Sequence, residues 1–151
     1  MHQSATNIGK LQPQLYQTTI SMSEQAGAAA VDSGLAPAFV EMLRIRVSQL
    51  NGCGFCLRMH THDALAKGET SERIAVLPAW RETEYFDDLE RDSLALAERV
   101  TAISGSPQAE QLEPVSVLSP AQASAVAWVA IVINAFNRIA ITSHYRIAPP
   151  A

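Results

Sequence analysis

The sequence predicts an all-α protein of about six helices, and three observations carry that prediction. Apolar residues recur at helical spacing: Phe39, Leu43, Val47 and Leu50 stand at i, i+4, i+8 and i+11, one face of a helix. Alanine is abundant while valine, isoleucine and aromatic residues are modest, which favours helix. No stretch alternates convincingly with the period of two that a half-buried strand needs.

Taken in order, residues 10–35 read as a long, loosely patterned first helix, ended by Gly34 and Pro37. The face containing Phe39 defines a second helix over about 38–50. Asn51-Gly52 breaks it, and a third helix starts near Cys53 and runs to Lys67, where Gly68 supplies the stop. Thr70 or Ser71 caps a short helix that Pro78 ends. Asp87 followed by Glu90 resembles a capping box, opening a helix with Leu89, Leu96, Val100 and Ile103 on one face. Residues 105–118, with Pro107 and Pro114, are the most loop-like stretch. Ser119 as N-cap and Pro120 as first helical residue open a last helix to about Ser143.

At 151 residues the chain fits a single domain, long enough to bury a core without a disulfide staple. Hydrophobic residues make up 48% and charged residues 17%, a globular composition. The net charge of −4 and the lack of any Lys/Arg cluster leave no electrostatic footprint for nucleic acid or an anionic membrane. Residues 1–10 are polar, unlike a signal peptide. The most apolar run, 121–133, is followed at once by Asn134, Asn137 and Arg138; it is too short to cross a bilayer and reads as a buried helix. A cytoplasmic location is expected.

There are two cysteines, Cys53 and Cys56. So tight a loop removes little chain entropy when bridged, and in a reducing compartment such a pair is more often catalytic, redox-sensing or metal-binding than structural. With Cys53 in the first turn of its helix, Cys56 and His60 fall on the same stripe, His60 one turn beyond Cys56. His62 lies on the far face. The thiolate is the reactive form of cysteine, and the free thiol has a pKa near ~8.5. Unpaired amides at a helix N-terminus favour the anion, a histidine one turn away can take the proton, and a second thiol can condense with a sulfenic acid on the first. Two plainer readings stand beside this one. The cysteines can be small buried hydrophobes, or part of a zinc site, although with His60 or His62 they supply three ligands where structural zinc takes four. Glu41, twelve residues before Cys53, can reach His60 if the helices fold back at Asn51-Gly52; taken alone it reads as a solvent-facing helix carboxylate.

The pattern Glu41-x11-Cys53-x2-Cys56-x3-His60 resembles the signature of the alkylhydroperoxidase AhpD branch of the carboxymuconolactone decarboxylase family. The flanks in residues 46–62, 77–82 and 92–98 are similar to that branch, and Asn134-Ala-Phe-Asn-Arg138 resembles its Asn-x-x-Asn-Arg element. The resemblance spans roughly residues 35–143. It implies an AhpD-like helical fold that assembles as trimers or hexamers, with active-site walls from a neighbouring subunit. It implies that Cys56 is the peroxidatic cysteine, that a more exposed Cys53 resolves it and meets an external dithiol reductant of lipoyl or thioredoxin type, and that Glu41 and His60 form a proton relay. No metal and no organic cofactor are implied. Phe55 stands where AhpD proper has a histidine. The family's true decarboxylases generally lack the cysteine pair, which argues against lactone chemistry here.

Three functions are compatible with these residues. The leading one is a peroxidase for hydrogen peroxide or alkyl hydroperoxides. The others are a thiol–disulfide oxidoreductase or redox sensor, and a non-redox helical assembly protein. Asn134 and Arg138, i and i+4 on an otherwise apolar helix, are expected to line the pocket, to pair with Glu41 or an interface acid, or to serve as a structural polar pair.

Overall fold

The computed structural model describes residues 6–104 and 117–151. Among them the chain is entirely helical: α1 (Ile8–Leu11), α2 (Pro13–Asp32), α3 (Pro37–Asn51), α4 (Gly54–Ala66), α5 (Ser71–Val76), a 3-10 helix (Leu77–Glu82), α6 (Asp88–Thr101) and α7 (Pro120–Thr142). The predicted loop at 105–118 lies outside the described residues save for its last two.

Local chemistry sets the boundaries. The expected helix over 10–35 is interrupted at Gln12, which leaves helical geometry at φ −127°, ψ 66°. Pro13 restricts the residue before it and has no amide hydrogen to donate, so it begins a helix and does not continue one. Pro37 begins α3 in the same way. At the other end of α3, Gly52 takes φ 69°, a left-handed conformation that only glycine adopts cheaply. Both arms of the capping boxes form, Asp87 with Glu90 on α6 and Ser119 with Gln122 on α7. Leu89, Leu96 and Val100 of the predicted face of α6 pack partly buried against the core beside the fully buried Leu94 and Ala97, whereas Ile103 lies beyond the end of the helix and is exposed.

The central element is α3, packed against α4, α6 and α7, while α7 also lies along α2. Phe39, Met42, Leu43, Ile45 and Val47 of α3 are all buried, each large side chain contributing roughly 1.5–3 kcal/mol of transfer free energy. Leu50, predicted on the same face, turns outward at the helix end. A polar clamp ties α3 to α6 and the 3-10 helix. Glu98 accepts from Arg46 Nε (2.8 Å), Trp80 Nε1 (2.8 Å) and Arg81 Nη1 (2.6 Å). Burial alone would raise the Glu98 carboxyl, but these donors outweigh it and hold it below the usual range.

Helix α7 is longer than the apolar run suggested. Over its 23 residues it is long and apolar enough to cross a membrane by length and composition. Here it packs on α2, α3 and α6 and buries Ala125, Val126, Val129, Val132 and Ile133 in the core, leaving Trp128 and Ile131 outward.

Candidate active site

The site forms where α3 stops and α4 starts. The left-handed Gly52 reverses the chain so that the Cys53 amide donates back to the Ser48 carbonyl (3.0 Å). Cys53 is the N-cap of α4, with extended geometry, φ −87°, ψ 94°, and not the first-turn residue assumed from the sequence. Its sulfur accepts from the Cys56 amide at 3.4 Å, and the two free thiols share a contact at 2.7 Å between sulfurs. The expectation of a more exposed Cys53 does not hold within this chain, since both cysteines are 1% exposed. Capping draws the Cys53 sulfur inward, and Phe55 and Tyr145, edge to face with centroids 5.1 Å apart, stand beside it. A cleft of about 180 Å³ reaches Cys53 between Gly52, Phe55, His144 and Tyr145.

Cys56, His60 and Ala64 are the buried residues of α4, so Cys56 and His60 do share the inward stripe, whereas His62 is exposed. Burial pushes the Cys56 thiol well above its usual range and the contact with Cys53 adds to this; the side chain of Asn137 offsets part of it.

Glu41 is 1% exposed, not the solvent-facing carboxylate that its residue type suggests. One oxygen accepts from Arg44 Nη1 (2.8 Å) and Lys67 Nζ (2.5 Å), and the other meets His60 Nδ1 at 2.7 Å. Gly27 makes room for the Arg44 guanidinium, because a Cβ there would lie 2.9 Å from Arg44 Nη2. Burial acts to raise the Glu41 carboxyl, but the His60 hydrogen bond, the Arg44 charge and the Lys67 hydrogen bond bring it down to about 2. An ionised carboxylate can only accept, so Nδ1 carries a proton, and in the neutral imidazole Nε2 is the basic atom. A cavity of about 510 Å³ opens onto Glu41, Arg44 and Lys67 from the α2 side.

Glu41, His60 and the exposed Asp63 form a trio with metal-binding spacing, their ligand atoms within 4.8 Å of one another. A cation there would compete with Arg44 and Lys67 for Glu41, and neither cysteine belongs to the trio.

Asn134 and Arg138 do not meet Glu41. Arg138 is exposed and donates to Asn134 Oδ1 (2.9 Å). The buried polar residue of α7 is Asn137, which sequence reasoning passed over. Asn51 Nδ2 donates at 2.9 Å to both Asn134 Oδ1 and Asn137 Oδ1, and Asn137 Nδ2 donates to Ser48 Oγ at 3.0 Å. The signal available was a second amide three residues from Asn134 in an apolar helix, where a buried polar group must be paired.

Residues 13–99 match the carboxymuconolactone decarboxylase family, and the chain belongs to that family. The match takes in α2, ahead of the residues that carry the signature, and ends within α6, before Asn134–Arg138. The chain is 39% identical over 110 residues to the uncharacterized protein YdfG of Bacillus subtilis, covering 72% of this chain and 75% of that one. The fold is AhpD-like: a crystal structure from Agrobacterium tumefaciens superposes with a TM-score of 0.81 at 25% identity, over 98% of this chain and 100% of that one. That protein is described as one of unknown function, suggested to be an antioxidant defence protein, AhpD.

Proposed function

We propose that this protein is a thiol-dependent peroxidase of antioxidant type, reducing hydrogen peroxide or small alkyl hydroperoxides. The observation that carries this reading is the pair of buried sulfurs 2.7 Å apart, on the same helix as a histidine whose free nitrogen is assigned by an ionised glutamate. A buried pair reached by a small cleft suits small molecules, a peroxide as oxidant and a small dithiol as reductant, more than the disulfide of a folded protein, and this favours peroxide over a protein-directed oxidoreductase reading.

In this mechanism the proton leaving the cysteine pair passes to His60 Nε2, while Glu41 stays charged and holds the ring. The Cys56 thiolate attacks the terminal peroxide oxygen. The O–O bond breaks, Cys56 becomes sulfenic acid, and the alkoxide or hydroxide takes the proton from His60. The Cys53 sulfur then attacks the Cys56 sulfur, forming a disulfide and releasing water. An external dithiol reduces the disulfide to two thiols and is itself oxidised, entering by the cleft at Cys53. No metal or organic cofactor takes part. The outward Trp128 and Ile131 of α7 support assembly into a homo-oligomer, since contiguous exposed apolar surface marks interaction sites.

Peroxide consumption with excess dithiothreitol tests the reading. Cys56→Ser is expected to abolish turnover, and a Cys56→Ser protein that consumes peroxide at the wild-type rate overturns it.

A further inference from the structure

The cleft at Cys53 adjoins a second, larger space. Phe55, Tyr145 and Arg146 border the cleft and also border a cavity of about 580 Å³ that continues over Lys10, Pro13 and Tyr16. This outer cavity exists because α1 is fastened across the end of α7. The Ile8 amide donates to Ser143 Oγ (3.2 Å), and the Tyr145 hydroxyl donates to Asn7 Oδ1 (3.4 Å). Gly9 permits the approach, since a Cβ there would lie 3.0 Å from the Tyr16 ring and 3.2 Å from the Tyr145 hydroxyl. His144 turns the chain after α7 at a left-handed φ of 52°, a strained conformation for a residue with a Cβ. Tyr145 then folds back, its amide donating to the Ala140 carbonyl (3.0 Å).

The lining of this groove selects a type of ligand. Pro13, Tyr16, Phe55 and Tyr145 give it apolar walls. Lys10 and Arg146 give it two positive charges, and no Asp or Glu lines either space. Among the described residues neither cation is in an ion pair. The cavity on the α2 side differs on both counts: Glu24 and Asp32 line it, and its Arg44 and Lys67 are bound to Glu41. In a chain of net charge −4, the groove beside the cysteines is thus a local excess of positive charge over apolar walls. Such a groove attracts an anion with an apolar body, and a guanidinium matches a carboxylate with two parallel N–H donors.

We infer that this groove binds a carboxylate-bearing alkyl hydroperoxide, the kind of molecule that peroxidation of a fatty acid yields, and that Arg146 and Lys10 are specificity-determining residues for its carboxylate. The apolar chain lies along Tyr16, Phe55 and Tyr145, and the hydroperoxide is directed to the cysteine pair, whose sulfurs are 2.7 Å apart. This names the substrate class of the proposed peroxidase and rests on that reading for the reacting group. Recognition of an apolar carboxylate does not rest on it.

Two measurements on the full-length protein test the inference. Calorimetric titration with octanoate and with 1-octanol reads binding without any redox step. Octanoate is expected to bind more tightly than 1-octanol. Arg146→Gln and Lys10→Gln are each expected to weaken octanoate about threefold, and together about tenfold, with 1-octanol unchanged. Both side chains are exposed, so the variants are expected to keep the wild-type circular dichroism. The second measurement is peroxide turnover with dithiothreitol, an uncharged reductant, comparing linoleic acid hydroperoxide with its methyl ester. The acid is expected to be favoured about tenfold in kcat/KM, through KM, and the double variant to lose that preference. Variants that bind octanoate as tightly as wild type, or that lose both probes equally, overturn the inference. Equal kcat/KM for acid and ester in wild type overturns it too. The outcome is separable from that of the proposed function. An octanoate preference that depends on Arg146 and Lys10, in a protein that turns over no peroxide, keeps the carboxylate groove and removes the peroxidase. Peroxide turnover without any such preference does the reverse.

Discussion

Two carboxylates on this scaffold, Glu41 buried and Glu98 partly buried, gather cations in the same way but differ in their partners. Glu98 holds Arg46, Arg81 and the Trp80 indole; Glu41 holds Arg44, Lys67 and His60. Both carboxyls are held below their usual range because charge-assisted donors outweigh burial. The difference lies in the partners. The donors on Glu98 are guanidinium and indole N–H groups, which are not general acids or bases, so that cluster clamps α3 to α6 and the 3-10 helix. One donor on Glu41 is an imidazole, which can take up and release a proton, and it sits on the inward stripe of α4 with Cys56. A buried ion pair therefore does not mark a site by itself. A buried pair with one titratable member on the same helix face as a cysteine makes a candidate site.

Exchanging each carboxylate for its amide breaks the comparison or sharpens it. Glu41→Gln is expected to lower peroxide turnover about 10³-fold, because a neutral partner no longer fixes the His60 tautomer or stabilises the imidazolium. Steady-state rates check this, with Glu98→Gln staying within about twofold of wild type. The next effect is on acid stability. The Glu41 carboxyl titrates at 4.5 when unperturbed and at about 2 in the fold. A group depressed in this way stabilises the folded state above its unfolded pKa and loses that contribution as the pH falls towards its folded one. Wild type should thus lose about 3 kcal/mol through this group between pH 4.5 and 2, and urea titrations over that window should show a flatter dependence for Glu41→Gln. The smallest effect is on the clamp: Glu98→Gln should cost about 1 kcal/mol at neutral pH, since partly buried and exposed donors exchange a charged acceptor for a neutral one, measured as a lower urea midpoint at unchanged slope.

How far the sequence discloses this arrangement depends on whether the relevant contact is local. Caps, proline starts and the Gly52 break are decided by neighbouring residues, and most helices are legible for that reason; the break at Gln12 was missed although Pro13 signals it. The one-turn spacing of Cys56 and His60 is local too. Glu41 is not, because α3 is surrounded, and Val40, Glu41, Met42 and Leu43 are all buried in succession. The rule that charged residues mark the solvent side fails on a helix that has no solvent side. Cys53 was placed one residue too far into its helix because a left-handed glycine, not periodicity, decides where α4 begins. Asn137 escaped because its partners, Ser48 and Asn51, lie 89 and 86 residues away. Arg138 drew the eye by its charge, yet it lies on the surface. Nothing in a spacing pattern distinguishes the amide that enters the core from the one beside it.

The most direct measurement of the central claim is a count of free thiols, with intact mass, before and after one equivalent of hydrogen peroxide, on wild type and on Cys53→Ser. The account predicts that wild type loses both thiols to an internal disulfide while Cys53→Ser stops at a sulfenic acid on Cys56 that dimedone traps. Survival of both thiols in wild type would contradict it.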